Sequence, residues 1–414
     1  MFYRRLLLST LTSRISRNKV RLLFGARQTG KTELLRHTVP DQGTVFFDLG
    51  AADQRRRFET DPARFGREAR ALPANTRNIV VDEIQKVPAL LDEVQNLFDE
   101  KKSRFQIYLT GSSARQLRRH SANLLPGRCH LFRLLPVCLW ESEGPERADW
   151  PGADPDSRLK GSWRSLRAFP AQSLERTLLL GNLPGVRSEP ERTAAATLSS
   201  YVENYLEEEV RREALARDLG SFAVFLKLAA LESGRQVNLS RLSQESGVPA
   251  ASLRNYYQVL EETFAGIWLR PYAGRGRKRL LTTPRFFFFD TGVRNAAADL
   301  PPHRGLLPSE GPGLLEQWVG LELSYRAAYL GSGHGVSFWR TASGAEVDFI
   351  WQSPREDVPI EVKWTTRPRP NDARHIETFL SEYPKRTRRG LLVCRCERPE
   401  QLTQRVVAVP WNRF

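Results

Sequence analysis

The sequence predicts a multidomain α/β protein, and three observations support this fold class. The chain has 414 residues, more than a single compact core accommodates, so we expect about two to three domains. Short apolar runs of strand length alternate with helical patterns near both ends of the chain, whereas the middle is helical. Apolar residues make up 40% of the chain and charged residues 27%, which provides enough apolar material for packed cores.

Residues 1–140 are predicted to form a parallel sheet covered by helices. Four apolar runs, each followed by a polar or glycine-rich break, are its expected strands: residues 20–24, 44–47, 79–81 and 106–109. Runs this apolar are typical of strands that are buried on both faces. We therefore place an α/β nucleotide-binding domain here.

A glycine-rich segment follows the first predicted strand and precedes a predicted helix. It reads G-x-x-x-x-G-K-[ST] and comprises Gly25, Ala26, Arg27, Gln28, Thr29, Gly30, Lys31 and Thr32. In such a loop the backbone N–H groups surround nucleotide phosphates, the lysine reaches the β and γ phosphates, and the hydroxyl ligates magnesium. The segment predicts binding of ATP together with Mg²⁺.

Two carboxylates end the third predicted strand, in the run Ile79-Val80-Val81-Asp82-Glu83. We expect Asp82 to act on the magnesium through its waters and Glu83 to polarise the hydrolytic water. The alternative for Asp82 and Glu83 is a solvated strand end.

The fourth strand leads into Ser112 and Ser113, and either hydroxyl is a candidate sensor of the γ phosphate, with a local helix cap as the alternative.

Residues 141–215 are expected to form an irregular insertion and a helical lid or linker.

Residues 216–300 predict a winged helix: a short helix, a glycine turn, a second helix entered through Pro249 and Ser252, and a basic loop before a strand at Arg285. In one interpretation phosphates of DNA are contacted by Arg254, Tyr256, Tyr257 and the loop arginines 275, 277 and 279. In the other, this segment packs against the core as a lid.

The net charge of +16 favours a polyanionic partner, DNA or another nucleic acid first and an anionic membrane second. A general enrichment in arginine is the alternative. No apolar run approaches the ~20 residues needed to span a bilayer, so we expect no transmembrane segment. The four cysteines form no paired C-x-x-C set and predict reduced thiols in a cytoplasmic protein.

Together these motifs resemble a known family, the prokaryotic AAA-type ATPases, related to the archaeal and signal-transducing (STAND) branches, that carry a C-terminal domain of unknown function. Besides the phosphate loop, the likeness is carried by V-D-E-I-Q-K-V-P at 81–88, L-T-G-S-S at 109–113, G-R at 127–128, F-D-T-G at 289–292, F-W-R-T at 338–341 and E-V-D-F at 346–349. The resemblance implies an ATPase core followed by a winged helix.

Arg128 is a further candidate in the ATPase core. An arginine can stabilise the γ phosphate during hydrolysis, either in cis or from a neighbouring subunit, so a second copy of the chain is an expected partner. A surface ion pair is the alternative interpretation of Arg128.

The last segment, residues 301–414, resembles the PD-(D/E)xK nuclease fold. Asp348 lies on one predicted strand, Glu361 and Lys363 lie on the next, and a preceding helix carries Glu316. A repeat of two places Glu361 and Lys363 on one face, where Glu316, Asp348 and Glu361 could hold Mg²⁺ and Lys363 could orient water or stabilise charge. The alternative is an ion pair in a domain that retains the fold for binding only.

The sequence thus predicts a magnesium-dependent ATPase that couples its nucleotide state to nucleic-acid binding or cleavage. The competing hypothesis is a nucleotide-switched interaction or oligomerisation protein whose C-terminal domain is catalytically inert.

Overall fold

The computed structural model describes residues 2–100, 104–113, 125, 127–144, 166–205, 219–272, 283–341 and 343–414. The chain forms two compact units. The first consists of Met1–Leu135, Asp156–Arg167 and Glu262–Phe264, and the second of Pro136–Pro155, Ala168–Glu261 and Ala265–Phe414.

The first unit is built on a five-stranded sheet in the order β2-β3-β4-β1-β5, and all of its neighbouring strands are parallel. The strands are β1 (Val20–Phe24), β2 (Thr44–Asp48), β3 (Asn78–Asp82), β4 (Gln106–Gly111) and β5 (Cys129–Arg133). The predicted parallel-sheet α/β core is confirmed. The edge strand β5 was missed, because its sequence C-H-L-F-R is too polar to stand out as a buried strand.

Among the described residues of the first unit, the helices are α1 (Leu7–Leu11), α2 (Lys31–Thr38), α3 (Ala52–Thr60), α4 (Ala63–Arg70) and α5 (Leu90–Asp99). The apolar faces of α3, α4 and α5 bury side chains such as Phe58, Phe65 and Leu97 in one core with the central strands. Successive parallel strands need such crossover connections, which leaves the carboxyl ends of β1, β3 and β4 at one edge of the sheet.

The described helices of the second unit lie before and between its strands. They are α6 (Leu174–Leu180), α7 (Pro184–Ser188), α8 (Glu191–Tyr205), α9 (Leu219–Leu231), α10 (Leu239–Ser246), α11 (Ala250–Glu262), α12 (Thr291–Ala297), α13 (Leu307–Leu330) and α14 (Arg374–Glu382). Asn238 caps α10 by accepting a hydrogen bond from the Arg241 N–H. Gly247 ends the helix with φ +70°, a conformation that glycine adopts at little cost.

An eight-stranded mixed sheet completes the second unit, in the order β12-β13-β11-β10-β9-β8-β6-β7. Its strands are β6 (Gly266–Pro271), β7 (Arg285–Phe288), β8 (Gly335–Arg340), β9 (Glu346–Gln352), β10 (Asp357–Val362), β11 (Gly390–Cys394), β12 (Glu400–Gln401) and β13 (Val406–Pro410). The antiparallel pair β6–β7 joins the rest through β8, where Arg270 pairs with Ser337. The domain boundary that the sequence predicts at residue 300 therefore falls between β7 and β8, which belong to the same sheet.

The second helix of the predicted helix-turn-helix shows which of its residues face solvent. Arg254 is exposed, but only 6% of Tyr256 and 2% of Tyr257 are exposed. Tyr257 packs edge-on against Phe225 and Phe286. The expectation that Tyr256 and Tyr257 contact DNA phosphates is wrong, because both rings belong to the apolar core. Arginines 275, 277 and 279 lie outside the described residues.

Candidate functional site

The phosphate loop leaves the carboxyl end of β1 and leads into α2. Gly25 faces the backbone after β5 so closely that a Cβ at position 25 would collide with the Leu134 carbonyl oxygen. Gln28 and Gly30 have φ of +60° and +91°, in the left-handed region that favours glycine. These turns curl the loop toward the first turn of α2, and N–H groups at the N-terminus of a helix attract anions.

Lys31 lies inside this loop, with 6% of the residue exposed. Its ammonium donates to the carbonyl oxygens of Gly25, at 3.0 Å, and Ala26, at 2.8 Å. The Thr29 hydroxyl also donates to the Ala26 carbonyl at 2.9 Å. The lysine cation is therefore held at the centre of the loop that would surround a phosphate.

Thr32 and Asp82 meet although they are fifty positions apart. The Thr32 hydroxyl donates to Oδ2 of Asp82 at 2.7 Å, and the Thr110 hydroxyl, at the end of β4, donates to Oδ1. Asp82 is only 7% exposed, so hydroxyl groups satisfy both oxygens of a buried carboxylate. Hydroxyl and carboxylate oxygens are the ligands that Mg²⁺ prefers, and these two could share one ion.

Glu83 directly follows β3 with φ +59°, a conformation that costs a residue with a side chain about 1–3 kcal/mol. Its Oε2 accepts hydrogen bonds from the Gln85 amide and, at 3.3 Å, from the Ser112 hydroxyl. The Gln85 amide also donates to Ser112 Oγ at 3.0 Å. Gln85 thus joins the ends of β3 and β4, a role that the sequence prediction missed although the residue lies within the 81–88 motif.

Two buried polar atoms beside this cluster lack a hydrogen-bond partner, namely Gln85 Oε1 and Ser113 Oγ.

Arg133 ends β5 opposite Phe24, the last residue of β1, so its backbone lies at the same edge as the loop. The sequence prediction overlooked Arg133 because it did not identify β5.

Arg128 lies at the other edge of the sheet. It immediately precedes β5, whose first residue pairs with Val20 at the start of β1, and β1 separates it from the phosphate loop by about 15 Å. Its Nε donates to Asp99 at 2.7 Å, and this hydrogen bond lowers the pKa of the Asp99 carboxyl. The predicted reach of Arg128 to the γ phosphate in cis is therefore wrong, and the surface ion pair is what the structure contains.

The second acidic cluster lies in the second unit, on α13, β9 and β10. Asp348 accepts a hydrogen bond from the Val362 N–H at 2.9 Å, and Lys363 pairs with Oε1 of Glu361 at 2.8 Å. Glu316 pairs with Arg285 at 2.8 Å. The four residues predicted from the sequence are thus neighbours in the fold.

Burial raises the pKa of all three carboxyl groups of this cluster. Burial, and then the charge of Asp348, raise the pKa of Glu316 to about 7 and that of Glu361 to about 8. Burial also raises the pKa of Asp348. Although burial opposes it, the ion pair with Glu361 holds the pKa of Lys363 above its ordinary value. Oε2 of Glu361 is buried without a hydrogen-bond partner, as expected of a carboxylate that a cation or proton must satisfy.

Two residues that the sequence prediction missed border this cluster. Arg285, 6% exposed, contacts both Glu316 and Glu346. His375 lies at the start of α14, with Nδ1 3.1 Å from the Glu346 carbonyl oxygen. Burial, and then Arg374, lower the pKa of its imidazole. No group of three His, Cys, Asp or Glu side chains among the described residues is arranged to hold a metal ion.

None of the described helices is both long and apolar enough to cross a membrane.

Three family models match the chain in succession. Residues 17–143 match an AAA domain, residues 171–304 a domain of unknown function (DUF8612), and residues 313–414 another domain of unknown function (DUF4143). An uncharacterized protein of Mycobacterium tuberculosis is 23% identical over 401 residues, covering 97% of this chain and 82% of that protein. One from Haemophilus influenzae is 22% identical over 382 residues, covering 88% of each chain.

Solved structures give weaker likenesses. A STAND protein with a tetratricopeptide repeat sensor from Pyrococcus horikoshii is 12% identical, with 77% of this chain and 45% of that chain covered and a TM-score of 0.24. PCH-2 of C. elegans is 14% identical, with 49% and 59% covered and a TM-score of 0.24. TM-scores this low do not establish a shared overall fold. Residues 17–143 match an AAA domain and contain the phosphate loop described above.

Proposed function

We propose that the chain binds ATP with Mg²⁺ and hydrolyses it. The observation that carries this proposal is the hydrogen bond of 2.7 Å between Thr32 and Asp82, which brings the loop hydroxyl to the strand carboxylate. The bound ion would neutralise phosphate charge at this position. The ammonium of Lys31, already inside the loop, would hold the β and γ phosphates.

Glu83 would accept the proton of the attacking water. General bases of this kind act within hydrogen-bond reach of the water, and Gln85 and Ser112 fix the direction of the Glu83 carboxylate. Our candidate contact of the γ phosphate is Ser112 rather than Ser113. The Gln85 amide donates hydrogen bonds to both the Ser112 hydroxyl and the Glu83 carboxylate, which places Ser112 beside the proposed base.

Substitution of Lys31 tests the ATPase proposal. Lys31→Ala should remove nearly all magnesium-dependent ATP turnover, because the cation opposite the transferred phosphoryl group is lost. Lys227→Ala is the control, since Lys227 is an exposed lysine that pairs with Asp299 in the second unit. Equal turnover in wild type and Lys31→Ala would refute the proposal.

A second candidate function is metal-dependent cleavage of nucleic acid by the second unit. It is supported by the neighbouring Glu316, Asp348, Glu361 and Lys363, and by the buried, unpartnered Oε2 of Glu361. Since no three of these carboxylates are arranged to hold a metal ion in the described structure, a divalent cation would have to draw them together before it could activate water and neutralise phosphate charge. Lys363 would orient that water, and the exposed Arg254 of α11 would contact the nucleic-acid backbone if residues 216–300 act as a winged helix.

Cleavage of plasmid and single-stranded DNA, with and without Mg²⁺ and ATP, tests this second function. Glu361→Gln should abolish the magnesium-dependent products, whereas Glu397→Gln, at an exposed position of the same unit, should leave them unchanged. Equal, negligible cleavage by wild type and Glu361→Gln would favour the nucleotide-switched interaction protein instead.

Filter binding separates retention of nucleic acid from its cleavage. The net charge of +16 should give retention of DNA at low salt that weakens steeply as salt is added. Absence of retention with and without nucleotide would remove nucleic acid as a partner.

Arg128 could act in trans only if the chain assembles with further copies of itself. Light scattering would detect such assembly as a nucleotide-dependent change in mass.

A further inference from the structure

We propose that Arg5 is a positioning residue for the triphosphate, holding the Thr29 carbonyl so that the N–H of Gly30 is directed at the phosphates. This inference rests on the proposed binding of ATP. It assigns a function to the segment before α1, which lies outside the phosphate-loop motif.

Arg5 is buried against the outside of the loop. Only 3% of the residue is exposed. Its Nη1 donates to the Thr29 carbonyl oxygen at 3.0 Å, and its Nη2 donates to the Leu135 carbonyl oxygen after β5. One planar guanidinium therefore connects the loop to the backbone that faces Gly25.

The planarity of the peptide bond links this contact to the ligand side of the loop. The carbonyl of Thr29 and the N–H of Gly30 belong to one trans peptide unit, so they point in opposite directions. When the carbonyl is directed outward onto Arg5, the N–H is directed inward, toward the space that phosphates would occupy. A charged donor on the carbonyl also polarises the peptide and strengthens that N–H as a donor.

The charges around the loop give a second argument. Arg5 and Lys31 are 3% and 6% exposed, so two cations are withdrawn from water on either side of one loop. Each cation donates to two backbone carbonyl groups of the loop or of the segment after β5. The positive potential of both cations favours a polyanion such as triphosphate, so Arg5 should contribute to phosphate affinity as well as to loop shape.

The N-terminal segment is also attached to α2, the helix that the loop enters. The ring of Phe2 stacks on that of His37 in the last turn of α2, with a centroid distance of 4.1 Å and an interplanar angle of 5°. Residues 2–5 thus contact both the loop and its helix, and we expect this segment to become more ordered when phosphate binds.

Calorimetric titration with Mg·ATP and with inorganic tripolyphosphate tests the proposal, at a temperature where circular dichroism shows each variant folded. Arg5→Gln should weaken both ligands by roughly tenfold or more, the usual loss for a hydrogen bond from a charged group. Arg5→Lys should be intermediate, because it restores the charge but not the bidentate contact. Arg17→Gln, at an exposed position near α1, should bind like wild type.

A purely structural Arg5 would give a lower melting temperature with unchanged affinities in the folded variants, and that result would overturn the proposal. If neither Arg5 variant folds, hydrogen exchange on the wild type decides. Mg·ATP should slow exchange in residues 2–8, and unchanged exchange would equally refute the role of Arg5. Failure of the wild type itself to bind ATP would refute the proposed function instead.

Discussion

The two acidic clusters of the chain are stabilised in different ways. Around Asp82 the partners are neutral hydroxyls, supplied by Thr32 and Thr110. Around Glu361 and Glu316 the partners are the cations of Lys363 and Arg285. A metal ion can replace the hydroxyl partners of Asp82 without leaving an uncompensated charge. Separation of a carboxylate from an arginine leaves both the carboxylate and the guanidinium to be compensated.

The site around Asp82 therefore lies close to the geometry that its ligand requires. In the site around Glu361 and Glu316, cations already compensate the carboxylates. The P-loop cluster should respond mainly to its nucleotide, because its cation and hydroxyls surround the phosphate position. The carboxylate cluster of the second unit should respond to pH, because burial raises the pKa of Glu316 to about 7 and that of Glu361 to about 8.

The largest expected effect concerns Glu83. Glu83→Gln should lower ATP turnover by about a hundredfold or more, because an amide cannot accept the proton that a general base removes. Binding of ATP should persist, since the loop is intact, and steady-state turnover together with calorimetric titration would measure both quantities. Glu59→Gln, on an exposed part of α3, is the matched control. Unchanged turnover in Glu83→Gln would end the assignment of a hydrolytic role to this cluster.

The next effect concerns the cation that compensates the second cluster. Arg285→Gln should destabilise the second unit by about 3 kcal/mol or more, because two carboxylates lose a buried partner. Arg340→Gln should cost less than about 1 kcal/mol, since Arg340 contacts the same Glu346 from an exposed position. Urea unfolding followed by tryptophan fluorescence measures this, since Trp318, Trp339 and Trp351 are buried in that unit. Equal losses would show that Arg285 is no more than a surface partner.

The remaining expected effect is a pH dependence of stability. Glu361 has an ordinary pKa of 4.5, and burial and Asp348 raise it to about 8 in the folded chain. The folded state therefore binds more protons than the unfolded state between these values, so stability falls as pH rises from about 4.5 to about 8. Glu316 acts in the same direction, up to about pH 7.

Melting temperatures of wild type and Glu361→Gln, compared from pH 5 to 8, would measure this effect. The variant should gain stability relative to wild type as pH rises, because glutamine has no proton to lose. A difference that stays constant with pH would contradict the raised pKa of Glu361. Because the first unit is identical in both proteins, the difference between them at each pH cancels its contribution.

Sequence reasoning predicted the features that depend on near neighbours. The phosphate loop, the strands of the parallel sheet and the order of Asp348, Glu361 and Lys363 follow from local patterns, because the period of a strand and the turns of a glycine-rich loop are fixed within a few residues. The structure confirmed the parallel sheet, and residues 17–143 match an AAA domain. The winged helix and the nuclease fold stay predictions.

The errors arose where distant segments decide the outcome. Arg128 follows a glycine just as an active-site arginine would, yet the parallel pairing of β5 with β1 places it at the edge opposite the loop. Tyr256 and Tyr257 lie on the second helix of the predicted helix-turn-helix, yet both turn inward against aromatic rings. Strand order and helix orientation come from the packing of the whole unit, which no local pattern contains.

By itself, the sequence determined that this protein carries a phosphate loop and two sets of carboxylates, because each motif is written in consecutive or regularly spaced residues. Only the tertiary structure decided their partners: Thr32 with Asp82, Arg285 with Glu316, and Arg5 with the carbonyl of Thr29. These pairs join segments 24 to 50 positions apart. Such contacts form only when burial of the apolar strands and helices outweighs the entropy lost in closing the chain between them.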